Sequence, residues 1–191
     1  EKFYIACSGG VDSMAIVSFL NNSHKNFDIV HFNHGTENAH SYEAFVRNYG
    51  AAISRNVIVS SCEPYIKSPD SKELYWARKR HEFFNSFDAP VITAHHLNDV
   101  VETWLMSCLN GKPHLMPWKT RNCLRPFLLT KKEGFISWCK RFNVPWIEDM
   151  TNADNDCYRN NIRNNLLPNA ININPGLFTN VSKLLTDSWI S

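Results

Sequence analysis

The sequence predicts an α/β fold, in which a doubly wound parallel sheet carries helices on both faces and a short, mainly helical extension follows. Over the first two thirds of the chain, short apolar runs alternate with segments whose apolar residues recur at helical spacing. A glycine-rich turn joins the first apolar run to the first apolar helix. With 191 residues, 43% of them hydrophobic, the chain can bury a full core. We expect a core domain over residues 1–150 and a helical extension over 151–191 that packs on it.

The predicted strands and helices follow one another in a regular order. Strands are expected at residues 2–7, 29–32, 56–59 and 90–94. Helices are expected between and after them, at residues 11–20, 42–53 with Ser41 as the N-cap, 71–84 and 101–108. Because right-handed crossovers place the carboxyl ends of parallel strands at one edge of the sheet, ligands should bind at that edge.

The chain beyond residue 111 is more basic and less regular, but it is still predicted to fold. Residues 130–133 have the pattern of a capping box that opens a helix through Phe142. A strand or turn is expected at residues 145–150 and a partly helical segment at 158–163. A last helix should begin at Asn174-Pro175, where an N-cap precedes a proline at the first helical position.

Composition excludes several classes of protein. No apolar run is long enough for a membrane span or a signal peptide, so we expect a cytoplasmic protein that does not bind membranes. The six cysteines lack Cys-x-x-Cys pairs and zinc-site spacing, which predicts buried thiols or inert surface thiols. The first residue is Glu rather than Met, so we expect a processed or trimmed N-terminus.

The turn at residues 8–13 reads Ser-Gly-Gly-Val-Asp-Ser and lies between a predicted strand and a predicted helix. Two glycines permit a tight turn that brings backbone N–H groups against an oxyanion, and the positive end of the helix points to the same place. Ser8 and Ser13 can add hydroxyl donors, whereas Asp12 would repel phosphate unless a divalent cation lies between them. The turn therefore predicts a site for ATP with Mg²⁺. The alternative is a plain turn in which Ser and Asp cap the helix.

A second group of polar residues, at 94–103, follows the fourth predicted strand. Asp99 and Glu102 are three residues apart, so they should share one face of a helix, opposite its apolar stripe. The carboxyl ends of the first and fourth strands should converge on one crevice, which would bring these acids to the phosphate loop. In the alternative interpretation the acids only favour the helix dipole, Asn98 caps the helix, and the two histidines are packed or solvated.

Positive charge concentrates between residues 112 and 141, where the only acid is Glu133. The cationic residues are Lys112, Lys119, Arg121, Arg125, Lys131, Lys132, Lys140 and Arg141. Aromatic side chains interleave with them, as they do on base-stacking surfaces, at Trp118, Phe127, Phe135 and Trp138. Two interpretations stay open: a contact with nucleic acid, or a solvated surface over core aromatics.

Seven motifs occur in one order along nearly the whole chain. They are the 8–13 turn, His31-Phe32-Asn33-His34-Gly35, Ala77-Arg78-Lys79-Arg80, the 94–103 segment, Arg125-Pro126-Phe127, Glu148-Asp149 with Thr151-Asn152, and Tyr158-Arg159-Asn160 with Ile162-Arg163. In this order they resemble the tRNA(Ile)-lysidine synthetases, which belong to the PP-loop ATP pyrophosphatases. The resemblance implies an ATP-dependent ligase that adenylates C2 of the wobble cytidine in an isoleucine tRNA with a CAU anticodon. Lysine then displaces AMP to give lysidine.

The resemblance also assigns roles to individual residues. ATP would be held by Ser8, Gly9, Gly10, Val11, Asp12 and Ser13, with His34 and Gly35 near the adenosine. The catalytic set would be Asp12, which positions Mg²⁺, Arg78 near a phosphate or the transition state, and Asp99 and Glu102, which bind the lysine ammonium. The substrates would also contact His95, Arg125, Arg159 and Arg163, with the arginines on RNA phosphates. Pairing of Arg159 with Asp149 or Glu148 is an open alternative.

The sequence departs from this family at Asn33 and Asn98, where members usually have Asp, which leaves the identity of the amine open. Bacterial members usually continue into further C-terminal domains, so the chain resembles their catalytic core. A tRNA thiolase of the same loop family is a rival function, and a non-catalytic RNA-binding protein with this fold is another. The oligomeric state is left open, with a homodimer among the options.

Overall fold

The computed structural model describes residues 2–36, 38–63, 65, 71–148 and 158–190. Its six strands are β1 Phe3–Ala6, β2 Phe27–Asn33, β3 Val57–Ser61, β4 Val91–Ile92, β5 Lys119–Thr120 and β6 Cys123–Leu124. Its helices are α1 Val11–Asn22, α2 Ala39–Ala52, α3 Lys72–Asn85, α4 Leu97–Leu109, α5 Lys132–Arg141, α6 Tyr158–Asn161, α7 Leu167–Ile173 and α8 Leu177–Ile190, with a π-helical segment, Ile162–Leu166, between α6 and α7.

The strands form one sheet in the order β3-β2-β1-β4-β6-β5. All neighbours are parallel except β5, which pairs with β6 in the antiparallel sense at the edge. Ile5 of β1 lies opposite Ile29 of β2 on one side and Ile92 of β4 on the other. The strand order therefore reverses at β1, and in open parallel sheets the crevice outside such a reversal is where ligands bind. The predicted doubly wound α/β fold is confirmed.

One local prediction was wrong, and one element of the sheet was not predicted. Helix α2 begins at Ala39 with Asn38 as its N-cap, and Ser41 lies inside the helix, where its hydroxyl donates to the carbonyl of Asn38 at 2.7 Å. The β5–β6 hairpin was missed, because strands of two residues are too short to show alternation. The predicted strand or turn at 145–150 forms no strand up to Glu148, and its last two residues lie outside the described part of the chain.

The described residues divide into two compact units. The first lies within Glu1–Ala94, Lys119–Pro126 and Phe135–Ile147, and it contains the whole sheet. The second lies within His95–Trp118, Phe127–Gly134 and Glu148–Ser191. These units interleave along the chain, whereas the predicted division is a single cut at residue 150. That division stays a prediction.

Each unit has its own apolar core. In the first unit, one buried cluster joins the strands to α3 through Tyr4, Val30, Phe84, Val91 and Cys123. In the second, α4 packs against the helical C-terminal segments through Leu97, Val100, Val101, Met116, Leu128, Leu167, Leu177, Val181 and Leu185.

Among the described helices, none combines the length and the apolar character needed to cross a membrane. The described cysteines are all free thiols: Cys7, Cys123 and Cys139 are buried, Cys62 is half-buried and Cys108 is exposed, while Cys157 lies outside the described residues.

Candidate functional site

The turn between β1 and α1 has the backbone shape that its glycines predict. Gly9 has a φ of +92°, and a Cβ built there would lie 3.4 Å from Cδ1 of Phe45. Gly10 is the N-cap of α1 and offers no side chain to the first N–H groups of the helix. The alternative in which Ser or Asp caps this helix is therefore wrong. The helix start presents N–H donors without a side-chain cap, and such a start favours an anion.

Ser13 fixes the loop from within. Its buried hydroxyl accepts a hydrogen bond from the backbone N–H of Ser8 at 3.2 Å and donates one to the carbonyl of Gly10 at 3.0 Å. The loop is also held from outside, because the N–H of Ile147 donates to the carbonyl of Gly9 at 2.9 Å. The loop is thus organised before any ligand binds, which lowers the entropic cost of binding.

Asp12 lies in the first turn of α1, where a carboxylate is favoured by the helix dipole. Its negative charge disfavours ionisation of the nearby Cys139 thiol. Burial, together with Asp12, raises the pKa of that thiol to about 11. The described residues contain no group of three or more His, Cys, Asp or Glu side chains that could hold a metal ion by themselves. Mg²⁺ in nucleotide sites usually takes one or two carboxylates plus phosphate oxygens, so Asp12 in this loop fits that ion.

The end of β2 forms a second hydrogen-bonded corner in the first unit. A ring nitrogen of the buried His31, Nδ1, lies 2.8 Å from the carbonyl oxygen of Cys7, and burial lowers the pKa of this histidine. Nδ1–H therefore donates to that carbonyl from a neutral ring. His34 is half-buried against the rings of Phe32 and Trp76, with ring centroids at 5.1 and 5.3 Å, and Gly35 is exposed.

Asn33, where the resembling family usually has Asp, uses both ends of its amide. Its Nδ2 donates to Oε2 of Glu43 at 2.9 Å, and its Oδ1 accepts from the N–H of Gly35 at 2.9 Å. The bond from Asn33, followed by that from Arg47, holds the pKa of Glu43 below its usual value. An aspartate at position 33 could not donate to Glu43, so this chain has an amide for a physical reason of its own.

In the second unit, Asp99 and Glu102 do not face solvent as free carboxylates. Glu102 accepts from Nε of Arg163 at 2.7 Å, Nη2 of Arg163 at 2.9 Å and Nε of Arg159 at 3.0 Å. Asp99 accepts from Nη2 of Arg159 at 2.8 Å. Glu102 is only 1% exposed. The two acids of α4 and the two arginines of α6 and the π-helical segment, here called the acid–arginine cluster, thus form one charge network in which the acids are buried and the arginines are partly exposed.

This cluster corrects one expectation and changes another. Arg159 pairs with Asp99 and Glu102 rather than with Glu148, while Asp149 lies outside the described residues. The acids were expected on a face away from the apolar stripe, but the arginines cover them and both acids are buried. Contact of Arg159 and Arg163 with RNA stays a prediction. In such a contact their guanidinium N–H groups would be shared between the RNA phosphates and the carboxylates of Asp99 and Glu102.

The start of α4 differs from the sequence interpretation. The N-cap is His96, not Asn98: the Asp99 N–H donates to Nδ1 of His96 at 3.4 Å, and the His96 N–H donates to Oδ2 of Asp99 at 2.9 Å. Asn98 instead accepts from the N–H of Lys132 at 3.1 Å and so caps the start of α5. Burial, the largest influence on Asp99, would raise its pKa, but His96, Arg159 and His95 outweigh it and hold the pKa below its usual value.

The other predicted site residues lie apart from these contacts. Arg78 is exposed on α3 and forms a surface pair with Glu82 at 3.5 Å. Arg125 is buried after β6, and its Nη1 donates to Oγ1 of Thr120 at 2.9 Å. His95 belongs to the second unit with the acid–arginine cluster, whereas Arg78, Arg125 and the 8–13 loop belong to the first. Convergence of loop and acids on one crevice stays a prediction.

Two interactions were not foreseen from the sequence. One is the bond between Asn33 and Glu43, for which the sequence offers no signal, since ten residues and a turn separate the two. The other is the acid–arginine cluster, for which a signal exists. Asp99 and Glu102 were predicted on one face of a helix, and Arg159 and Arg163 are four residues apart in a segment predicted to be partly helical. That spacing also brings two side chains to one helix face, which is a condition for pairing with the acids.

Fold and loop together define the class of protein: an α/β protein whose glycine-rich loop, at the reversal of a parallel sheet, is built for phosphate groups. The chain belongs to the PP-loop domain family, a family of ATP-binding domains, which it matches over residues 1–170. The resemblance inferred from the motifs is confirmed.

Two curated relatives that the chain resembles have the same name. The chain is 29% identical over 188 residues to the tRNA(Ile)-lysidine synthase of Exiguobacterium sibiricum, a match that covers 92% of this chain and 45% of the relative. It is 32% identical over 188 residues to the tRNA(Ile)-lysidine synthase of Staphylococcus aureus, with 88% and 44% covered. The chain therefore spans less than half the length of these relatives.

Two solved structures with a similar fold are synthetases of other kinds. NMN synthetase from Francisella tularensis superposes with a TM-score of 0.52 at 15% identity, covering 75% of this chain and 62% of the other. The NH3-dependent NAD synthetase from Campylobacter jejuni gives a TM-score of 0.55 at 12% identity, covering 97% and 84%. At such identities the likeness is one of fold alone.

Proposed function

We propose that this chain uses ATP to convert the wobble cytidine of an isoleucine tRNA with a CAU anticodon into lysidine, in the cytoplasm where that tRNA resides. The observation that carries the proposal is the preorganised 8–13 loop, with its uncapped helix start and its carboxylate. The name shared by the curated relatives supports the choice of substrate.

The first step is transfer of AMP to the base. The cytidine O2 attacks the α-phosphorus of ATP, the bond between that phosphorus and the bridging oxygen breaks, and pyrophosphate leaves. Backbone N–H groups of the loop and the Ser8 hydroxyl would hold the departing phosphates, and Ser13 would join them by exchanging its bond to the Gly10 carbonyl for one to phosphate. Arg78, whose guanidinium is exposed on α3, would be the cation that approaches these phosphates. Asp12 would hold Mg²⁺, which supplies charge neutralisation when bound. Positioning and charge neutralisation suffice, since no covalent enzyme intermediate is needed.

The second step is capture of the amine. The lysine ammonium first releases one proton to solvent, and the resulting ε-amine attacks C2 of the adenylated cytidine. The C2–O bond breaks with its electron pair leaving on AMP, and the attacking nitrogen loses a second proton. Asp99 and Glu102 would orient the lysine ammonium before this step. Their charges are already balanced by Arg159 and Arg163, so the ammonium must share oxygens that the arginines use. We therefore expect weak lysine binding that depends on both acids.

The RNA would be held chiefly through its phosphates. Arg125 and the exposed cations of the 112–141 stretch carry no evident pattern for reading bases, so they suit the backbone. Phe135, one of the aromatic residues in that stretch, is buried and belongs to the core rather than to a stacking surface. Trp118 is 52% exposed and stays a candidate for stacking.

The test follows two products on one tRNA. The chain is incubated with ATP, Mg²⁺, lysine and an isoleucine tRNA transcript with a CAU anticodon, and pyrophosphate release is measured beside mass spectrometry of the nucleosides. Lysidine is the expected product, and Asp12→Ala should abolish both signals while the fold is retained. Pyrophosphate release without lysidine would argue for another nucleophile, and a thiolated nucleoside would favour the thiolase. Full activity of Asp12→Ala would refute the loop assignment.

A further inference from the structure

Three arginines and a histidine gather where α3 meets the β5–β6 hairpin. Arg80 and His81 are neighbours on α3, Arg121 lies in the hairpin turn, and Arg125 follows β6. The contact between the two elements is direct, because Sγ of Cys123 lies 3.8 Å from Nδ1 of His81. We call Arg80, His81, Arg121 and Arg125 the α3–hairpin cluster. It lies entirely within the first unit.

Three arginines of this cluster act on one histidine. Burial lowers the pKa of His81 first, and Arg80, Arg125 and Arg121 each lower it further. From the hairpin the groups that face His81 are Cys123, Arg121 and Arg125, and from its own helix Arg80. Burial also lowers the pKa of Arg125, which is only 7% exposed. Guanidinium groups beside a histidine supply the several N–H donors that an anion such as phosphate accepts.

The hairpin that carries Arg121 is held rigidly against the end of α3. Nδ2 of Asn122 lies within hydrogen-bond distance of three carbonyl oxygens, those of Phe84 at 3.0 Å, Phe87 at 3.1 Å and Ala89 at 2.9 Å. Arg121 itself has a φ of +50° and an exposed side chain. The cluster therefore combines a buried arginine, Arg125, a half-buried histidine, His81, and an exposed arginine, Arg121, on a fixed frame.

We propose that the α3–hairpin cluster binds a phosphate group of the substrate, at a site made of residues other than those of the 8–13 loop. For the source of that phosphate we choose the sugar–phosphate backbone of the RNA, a choice that rests on the proposed function. Guanidinium groups bind phosphate by paired donors, and a histidine beside them gains a proton as the anion arrives. RNA binding should therefore take up a proton at this site. A nucleotide phosphate is the other source with the same chemistry.

The test compares Arg121→Ala and His81→Gln with Lys25→Ala, which removes an exposed charge at the loop before β2. tRNA binding is measured as a function of salt and pH, and ATP binding by calorimetry, after the melting temperature shows that each variant is folded. Arg121→Ala should weaken tRNA binding about five- to tenfold and reduce the slope of log affinity against log salt by about 0.7–0.9. The wild type should bind tRNA more tightly at pH 6 than at pH 8, and His81→Gln should lose much of that difference.

The outcomes separate the possibilities. Loss of tRNA affinity with ATP binding intact supports the RNA phosphate. Weaker ATP binding with tRNA affinity unchanged keeps the phosphate site and overturns its assignment to RNA. If both variants bind tRNA and ATP as Lys25→Ala does, the cluster binds no phosphate and the proposal is wrong. A wild type that binds tRNA but makes no lysidine would count against the proposed function and leave this site standing.

Discussion

The amide of Asn33 stabilises the ionised form of the Glu43 carboxylate. Asn33 donates to Glu43, and this bond with that from Arg47 keeps Glu43 ionised at lower pH than usual. A carboxylate whose pKa is depressed in the folded state stabilises the protein at pH values above its usual pKa. This contribution to stability is lost as the pH falls through the depressed pKa. The corner at the end of β2 is therefore matched to an amide and not to the acid that the family usually places there.

Asn33→Asp should destabilise the chain at pH 7. Two carboxylates would replace a charge-assisted hydrogen bond, at a cost of about 1.5–3 kcal/mol. The pKa of the new pair is raised, so the difference from the wild type should shrink as the pH falls from 8 to 5, when the pair takes up a proton. Thermal melts over that range measure it. The double variant Asn33→Asp with Glu43→Gln exchanges donor and acceptor and should recover stability; a double variant as unstable as the single one would contradict this account.

Gly9→Ala tests the loop backbone. A φ of +92° is strained for any residue with a Cβ, and we expect a loss of about 1–2 kcal/mol together with weaker ATP binding. Gly134→Ala is the matched control, because Gly134 lies inside α5 and there alanine should be neutral or stabilising by up to about 1 kcal/mol. Calorimetry with ATP and Mg²⁺ and chemical denaturation give both readouts. If Gly9→Ala and Gly134→Ala changed the free energy of unfolding and the ATP affinity equally, the positive φ of Gly9 would contribute to neither.

At the scale of secondary-structure elements, the acid–arginine cluster joins α4 to the π-helical segment. Single π-turns within α-helices are often found at functional sites. Here Arg163 lies in that segment and Arg159 in α6, and both reach Glu102. The charges balance within the cluster, which is the condition for burying them.

Glu102→Gln should be destabilising, because two arginines lose most of their partner. Breaking a buried pair costs about 3–5 kcal/mol, but these arginines are about one third exposed, so we expect about 1–3 kcal/mol. In a double-mutant cycle with Arg163→Gln, the combined loss should be smaller than the sum of the single losses. Urea denaturation measures all four proteins. Strict additivity would mean that the 2.7 Å contact contributes nothing.

Asp99→Asn should separate the two chemical steps of the proposed reaction. An adenylated cytidine needs no ammonium partner whereas lysine capture does, so lysidine formation should fall further than pyrophosphate release. Asp99 has a depressed pKa, so the wild type should lose stability below about pH 4 as this group is protonated, and the variant should lack that part of the loss. Acid denaturation thereby verifies that the ion pair was removed. Equal loss of both steps would place Asp99 with ATP or Mg²⁺ instead.

At the scale of the whole molecule, the fold could be predicted wherever a segment is long enough to show its period. The first strand and the helices over Val11–Asn22 and Lys72–Asn85 were predicted within a few residues, because their apolar spacing is set by local geometry. The β5–β6 hairpin and the cap at His96 were not, because two-residue strands have no period and a histidine is a rare N-cap. The pairing of Asp99 with Arg159 spans 60 residues, and only tertiary structure brings them together.

ATP with Mg²⁺ should stabilise the chain as a whole. A ligand at about one hundred times its Kd adds about 2.7 kcal/mol, provided that it binds only the folded state. For a chain of this size the melting temperature should rise by about 5–10 °C. Asp12→Ala should melt near the wild-type temperature without ligand and lose most of the ligand-dependent rise. A variant that melts lower without ligand but keeps the full rise would mean that Asp12 serves only the helix.

The hydrogen bond from Ile147 to Gly9 also sets an order of events during synthesis. The ribosome makes Gly9 well before Ile147, so the Gly9 carbonyl receives this donor only after Ile147 has been added. Strand β6, at Cys123–Leu124, likewise joins β4 only after α4 has been made. A nascent chain that ends after β4 therefore lacks the Ile147 donor to this loop, and we expect such a chain to bind ATP more weakly than one that extends through Ile147.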